Sequence, residues 1–311
     1  AADGTLHFPN VTIRAPSFSA AGQVTVDPAA ATAAGLAAVN GYEFDFYWTG
    51  STATTPGHVS ASAKADTDLL AAFGYDLRPW LDGPLGLGIE ADVAGVEPGQ
   101  TRVSLDLREA SIATSMYSKA AGRDGFAEIA LAPGADRVYR LRSFAVTAAG
   151  LVASGSIEPT LGPDGGWQRM QIARLILGET NISATVERQA SGDLVVTAQG
   201  ARLDARALLA GTPAPTAAED VPALPLPSMQ VNGRFERVLV TDERSIDDVA
   251  ARVGFRNGSW ASLDAIGKLP TGGEVSVTIA EGPGARDLSI DRKSTRLNSS
   301  HVSESRMPSS A

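Results

Sequence analysis

Apolar residues recur at every second position along most of this chain, and this period constrains the fold more than any other feature. In the segment from Leu85 to Val93, for example, Leu, Leu, Ile, Ala and Val alternate with Gly, Gly, Glu and Asp. Successive side chains of a strand point to opposite sides, so each such segment buries one face and exposes the other. The pattern predicts a mostly β protein with about seventeen strands.

Short turn sequences separate the predicted strands, for example Arg123-Asp124-Gly125, Ser191-Gly192-Asp193 and Thr271-Gly272-Gly273. Short connections join antiparallel neighbours, so we predict a long, curled antiparallel sheet. Helix signals are few. The segment from Asp66 to Gly74 begins with a capping Asp and predicts a short helix near residues 66–73, and Asp204 to Gly211 predicts a second one.

Composition divides the chain into four parts. Residues 1–210 are predicted to form a curled β-sheet segment, and residues 211–228, with five prolines, an extended connection. Residues 229–290 continue the sheet incompletely. Residues 291–311 are serine-rich and lack the alternation, and they resemble the in-frame translation of a sequencing adapter; we interpret them as a non-native tail without functional meaning.

Several chemistries are excluded or disfavoured by composition. The chain has no cysteine, which removes thiol nucleophiles and cysteine-based metal sites, and its net charge is −9 without a basic cluster for nucleic acid. His7 and His58 stand alone, without a second ligand at metal-binding spacing. Gly86-Leu87-Gly88 resembles part of a dinucleotide fingerprint, but no helix follows it. We therefore predict a protein that is not an enzyme, with no catalytic residue, no cofactor, no metal and no nucleic-acid partner.

Apolar strand faces need cover, and two arrangements supply it. Two stacked sheets would form a sandwich, which the alternation alone favours. A single sheet could instead curl into an open gutter, or taco-like groove, whose apolar wall holds acyl chains. In that second arrangement the predicted lining residues include Phe44, Phe46, Leu87, Ile89, Leu105, Ile129, Ile182 and Val277.

Several segments resemble the AsmA-like superfamily of Gram-negative envelope proteins, and specifically its long YhdP-type members. The helical phrase from Lys64 to Asp76, followed by a Gly-Pro step and the alternating strand up to Ile89, is similar to a unit of that family. Further similar segments are Asp193 to Asp204 and Gly233 to Val240, in the same order along the chain. The resemblance covers about residues 40–290.

This resemblance implies non-enzymatic phospholipid transport between the inner and outer membranes, which maintains the permeability barrier of the outer membrane. It implies a periplasmic chain, anchored in the inner membrane by a segment that this sequence lacks. The implied partners are phospholipid acyl chains and components of both membranes. A β-sandwich binding or adhesive module of the bacterial envelope stays open as the alternative.

Overall fold

A computed structural model describes residues 4–15, 18–39, 41–50, 56–72, 76–94, 97–114, 117–133, 139–159, 167–209, 228–256, 259–281 and 286–293. Its strands, in chain order, are β1 (Leu6–Ala15), β2 (Phe18–Asp27), β3 (Thr32–Val39), β4 (Tyr42–Thr49), β5 (Gly57–Ala65), β6 (Leu81–Asp82), β7 (Leu85–Ala94), β8 (Glu97–Asp106), β9 (Ser111–Ala113), β10 (Ser118–Lys119), β11 (Gly125–Pro133), β12 (Tyr139–Ala148), β13 (Leu151–Pro159), β14 (Trp167–Leu177), β15 (Thr180–Arg188), β16 (Leu194–Asp204), β17 (Met229–Leu239), β18 (Ser245–Arg256), β19 (Ser259–Lys268), β20 (Glu274–Glu281) and β21 (Arg286–Lys293). The helices are α1 (Thr67–Ala72) and α2 (Arg206–Leu209).

Eighteen of the strands form one continuous sheet, and β6, β9 and β10 form a small second sheet. In the large sheet β1 to β5 are followed by β7, β8 and then β11 to β21, each paired with the next. The prediction of a mostly β chain with a long open sheet and few helices is confirmed. The sandwich that the alternation alone favoured is not formed by the described strands.

One pairing departs from the predicted antiparallel order. β16 and β17 run parallel, with Leu194 opposite Met229 and Asp204 opposite Leu239. Parallel neighbours need a connection that returns along the whole strand length, so the chain must cross back after β16. α2 begins this connection, and residues 211–227 of the predicted proline-rich segment lie outside the described residues.

The strands end at two long borders of the sheet. We call the first rim the border where β5 ends at Ala65, β8 at Asp106 and β16 at Asp204. The second rim is the opposite border, where β4 ends at Thr49 and β15 at Arg188. Both helices and the small sheet follow strands that end at the first rim, so all three lie on that side.

The predicted helices are present but short. The Asp66 carboxylate accepts the N–H groups of Asp68 and Leu69 at 3.0 and 3.1 Å, which confirms it as the cap of α1. No helix in these described ranges is long and apolar enough to cross a membrane.

The last described strand reaches into the predicted tail, because Asp291 pairs with Ser276 and Lys293 with Glu274. Residues 294–311 lie outside the described residues.

The main core lies at the first rim, between the sheet and the elements that follow its strands. Leu69 of α1 has no exposed surface, and it belongs to one apolar cluster with Leu81 of β6, Leu85 of β7 and Leu105 of β8. A second cluster surrounds Phe235 and includes Ala184 of β15, Ala198 of β16 and Val249 of β18.

Candidate functional site

Strand register lines up the apolar residues into rows that run across the sheet. The longest unbroken row, which we call the Phe46 row, contains one residue from each of the eighteen strands. Every member is apolar or glycine. In sheet order the row is Phe8, Val24, Gly35, Phe46, Ala61, Ile89, Val103, Ile129, Phe144, Gly155, Ile172, Ala184, Ala198, Gly233, Ala251, Ala265, Val277 and Ile290.

Two further rows flank it on the same face, which we call the apolar face. On the side of the first rim, the Phe44 row is Val11, Gly22, Ala37, Phe44, Ala63, Leu87, Leu105, Ala127, Val146, Ala153, Leu175, Ile182, Gly200, Phe235 and Val249. On the side of the second rim, the Trp48 row is Leu6, Val26, Ala33, Trp48, Val59, Ala91, Thr101, Leu131 and Leu141, and it resumes as Ile157, Met170, Val186, Val196, Val231, Val253, Leu263, Ile279 and Leu288. Thr101 is its one polar member. The three rows make a continuous apolar band.

The opposite, polar face has a different composition in equally regular rows. One of them is His7, Thr25, Ala34, Tyr47, Ser60, Glu90, Arg102, Ala130, Ser143, Ser156, Gln171, Thr185, Thr197, Asn232, Arg252, Asp264, Thr278 and Ser289. Charges on this face pair across strands: Arg102 lies 3.1 Å from Glu128 and 3.6 Å from Glu90. This face is suited to water.

The eight residues predicted to line a groove all lie on the apolar face. Phe44, Leu87, Leu105 and Ile182 belong to the Phe44 row, and Phe46, Ile89, Ile129 and Val277 belong to the Phe46 row. The structure therefore brings them together in two adjacent rows. Their contact with lipid stays a prediction.

The apolar band is only partly covered by protein. From β4 to β20, every side chain of the Phe46 row larger than alanine is half-buried rather than buried, including Phe46, Ile89, Phe144 and Val277. A side chain under a second layer of packed structure would be buried. Within the described residues the centre of this band thus has no second layer over it.

At the first rim the band is closed over β4 to β11. α1 places Leu69 and Leu70 against Leu85 and Leu105. The Tyr42 hydroxyl donates a hydrogen bond to the Asp66 carboxylate, which fixes the start of α1 to β4. This bond raises the pKa of Tyr42 to about 12 and lowers the pKa of Asp66 below its usual range.

Known proteins give no further guide to this surface. No protein-family model matches the chain, and neither a curated protein nor a solved structure matches it.

One buried charge was missed by the sequence reasoning. Lys119 of β10 is almost completely buried, and its ammonium donates to the carbonyl oxygens of Leu107 and Ala110 at 2.7 Å and of Ala120 at 3.3 Å. Burial lowers its pKa. A lone lysine between turn residues carries no signal of this role, because the two carbonyls that it binds at 2.7 Å, those of Leu107 and Ala110, come from a separate stretch of chain.

Shallow hollows on the polar face do not combine into a reactive centre. One of them, about 790 Å³, is lined by residues that include Glu43, Ser62, Gly88, Ser104 and Phe126. Within the described part of the chain no three His, Asp or Glu side chains are grouped to hold a metal ion. His58 contacts Asp92 at 3.1 Å on the exposed polar face.

Proposed function

We propose that this protein is a non-enzymatic carrier of phospholipid, which holds acyl chains against the apolar face and lets them pass from strand to strand. The observation that supports this most is the Phe46 row, which crosses the eighteen-stranded sheet without a polar residue and whose side chains larger than alanine are half-buried from β4 to β20. An apolar surface of this extent facing water is costly, because each buried methylene gains about 0.8 kcal/mol. An acyl chain supplies the missing cover.

The length of the band suits passage rather than a single bound state. Eighteen strands spaced about 4.8 Å apart extend over about 80 Å, which exceeds the roughly 30 Å hydrocarbon thickness of a bilayer. A lipid moving along the row exchanges one apolar neighbour for the next. Since no position along it differs strongly in polarity, no position traps the lipid. Selectivity among acyl chains should be low for the same reason.

This proposal agrees with what the resemblance to AsmA-like, YhdP-type proteins implies. On that basis we place the protein in the periplasm of a Gram-negative bacterium, where it would contact components of the inner and outer membranes and maintain the outer-membrane barrier. The adhesive-module alternative gains nothing from the described strands, since they leave the apolar band without a second sheet.

The first test measures whether the purified protein contains phospholipid. The full chain, purified from a bacterial envelope, should yield phospholipid on solvent extraction. Exposure to fluorescent phospholipid vesicles should then load it, and a second set of vesicles should receive the label. A lipid-free preparation that also refuses to load would contradict the proposal.

Two adjacent substitutions on β15 give a matched test. Ile182→Asp places a carboxylate in the Phe44 row, whereas Ser183→Asp places the same group on the polar face of the same strand. A charge at the centre of a hydrocarbon environment costs about 3 kcal/mol, so lipid loading should fall about a hundredfold for Ile182→Asp. Ser183→Asp should load normally. Circular dichroism and a melting curve check that both variants retain the sheet, and equal loading by two folded variants would contradict the proposal.

A further inference from the structure

The dimensions of the apolar band fit an acyl chain lying along the strands. Six residue steps separate Leu85 at the first rim from Ala91 in the Trp48 row, or about 20 Å along β7. One leaflet of a bilayer holds about 15 Å of hydrocarbon, half of its roughly 30 Å core. Acyl chains of that depth fit between the rims, and the headgroup then lies at one rim or the other.

The first rim is unsuited to a phosphate over β4 to β11. Leu69, Leu70 and Ala110 close the apolar face there and are buried. The Tyr42 hydroxyl, a possible donor, is already bonded to Asp66. A charged headgroup placed here would lose its water and gain no partner.

The second rim carries amphipathic aromatic residues on the apolar face. Trp48 lies next to the last residue of β4, and Tyr139 and Trp167 are the first residues of β12 and β14. Trp48 and Tyr139 are 36% and 39% exposed. Tryptophan and tyrosine favour boundaries where one end of the ring is apolar and the other is wet, as at the headgroup level of membranes.

An arginine side chain lies on the same face at the same rim. Arg188 ends β15 and pairs with Leu194, which places it on the apolar face at the second rim. Its guanidinium lies 5.0 Å from the centre of the Trp167 ring. A guanidinium binds phosphate oxygens with two parallel hydrogen bonds, and stacking on an indole holds it in place for this.

We infer that the phosphate headgroups of the carried lipids travel along the second rim, past Trp48, Tyr139 and the Trp167–Arg188 pair, while their acyl chains point to the first rim. This inference rests on the proposed function. It adds a fixed orientation of the lipid across the sheet, and it names Arg188 as a phosphate-binding residue.

Because the chain has no cysteine, a single introduced cysteine can be labelled at a chosen site to test the orientation of the lipid. Ala190 and Ala149 are exposed turn residues at the second and first rims, and each is replaced by cysteine and labelled with a fluorophore. Each labelled protein is loaded with phosphatidylcholine carrying a nitroxide on the headgroup, or on the end of one acyl chain. The headgroup nitroxide should quench the fluorophore at 190 at least twice as strongly as that at 149. The chain-end nitroxide should reverse the order.

A charge-neutral variant tests the phosphate contact. Arg188→Gln should lower retention of dioleoylphosphatidylglycerol about fivefold, equivalent to about 1 kcal/mol, and leave dioleoylglycerol unchanged because it lacks the phosphate. Arg234→Gln, on the polar face, should change neither. Equal retention by Arg188→Gln and the unaltered protein would overturn the role of Arg188.

The outcomes separate the two proposals. Quenching by the chain-end nitroxide, with headgroup quenching equal at the two rims or stronger at 149, would overturn the orientation and leave lipid carriage intact. No quenching by either nitroxide and no retained lipid would overturn carriage, and the orientation with it.

Discussion

The apolar face differs between the part from β4 to β11 and the part from β12 to β20. In the first part α1 and the small sheet cover the first rim, and the residues below them are large and buried, such as Leu85, Leu87 and Leu105. In the second part α2 has no buried residue and exposes Leu208 and Leu209. Apart from the cluster around Phe235, the same alternating pattern therefore gives a packed core where an element lies on top, and a half-exposed wall where none does.

On the proposed function, the cap formed by α1 and the small sheet fixes the sheet, and the uncapped wall would contact the lipid. In the second part the buried apolar members of β15 and β16 are alanines, Ala184 and Ala198, and Phe235 and Val249 are buried in the same cluster. On the neighbouring strand β14, larger residues such as Ile172 and Leu175 stay half-buried. A carrier surface needs this combination, because a stable backbone must coexist with apolar side chains that are free to contact cargo.

We expect the greatest loss of stability from a substitution in α1, which belongs to the cap. Leu69→Ala removes a side chain with no exposed surface and should lower the free energy of unfolding by about 4 kcal/mol, from lost burial and the cavity left behind. Leu209→Ala, in α2 and 54% exposed, should change it by less than about 0.5 kcal/mol. Urea denaturation followed by tryptophan fluorescence measures both. Similar losses would mean that α2 is packed as tightly as α1.

A pair of leucines in one row compares the two parts directly. Leu105 and Leu175 both belong to the Phe44 row, but Leu105 is buried and Leu175 is half-buried. Leu105→Ala should cost about 3 kcal/mol and Leu175→Ala about 1 kcal/mol in lipid-free protein, because a cavity forms only under a covering layer. Loading with phospholipid should raise the second cost towards the first. Equal costs without lipid would show that the uncapped wall is packed after all.

The third effect tests the turn that holds the cap. Lys119→Met keeps the length of the side chain but removes the donor to the carbonyls of Leu107 and Ala110, and we expect a loss of about 2 kcal/mol. Lys64→Met, on the exposed polar face, is the matched control and should be neutral. Thermal melts of the two variants measure this. A neutral Lys119→Met would mean that water replaces the ammonium.

The helix-start pattern at Asp66 predicted the cap of α1, and sequence alternation predicted the strands and their faces. It placed Phe44 and Val277 on a common face although 233 residues separate them, since period-two burial is local information. It could not predict that the Phe46 row stays unbroken across the sheet. Register depends on turn geometry and on bulges such as the two between β13 and β14, opposite Ser154/Gly155 and Glu158/Pro159 of β13.

The parallel pairing of β16 with β17 was also beyond local pattern. An antiparallel and a parallel neighbour have the same alternation, and only the length of the connection distinguishes them. Lys119 was missed for a related reason, because its two shortest hydrogen bonds are to backbone carbonyls of another segment. The half-exposure of the band is a tertiary property, so the residues alone left the sandwich and the open sheet as alternatives.

We expect the smallest effect on stability from the hydrogen bond between Tyr42 and Asp66, which holds α1 to β4. Tyr42 has a pKa raised from 10 to about 12, so its contribution to stability is present below pH 10 and is lost as the pH rises towards 12. The pKa of Asp66 is lowered, so its contribution is present above its usual pKa and is lost as the pH falls through the lowered value. Absorbance at 295 nm should detect one tyrosine that titrates near pH 12, and Tyr42→Phe should remove that step.

In Tyr42→Phe, amide hydrogen exchange should quicken in α1 while β13 to β15 keep their protection, because the lost bond joins α1 to β4 only. Tyr47→Phe, an exposed tyrosine on the polar face of the same strand, is the control and should leave α1 unchanged. Faster exchange throughout the sheet would contradict the separation into a cap that fixes one part and a wall that stands without it.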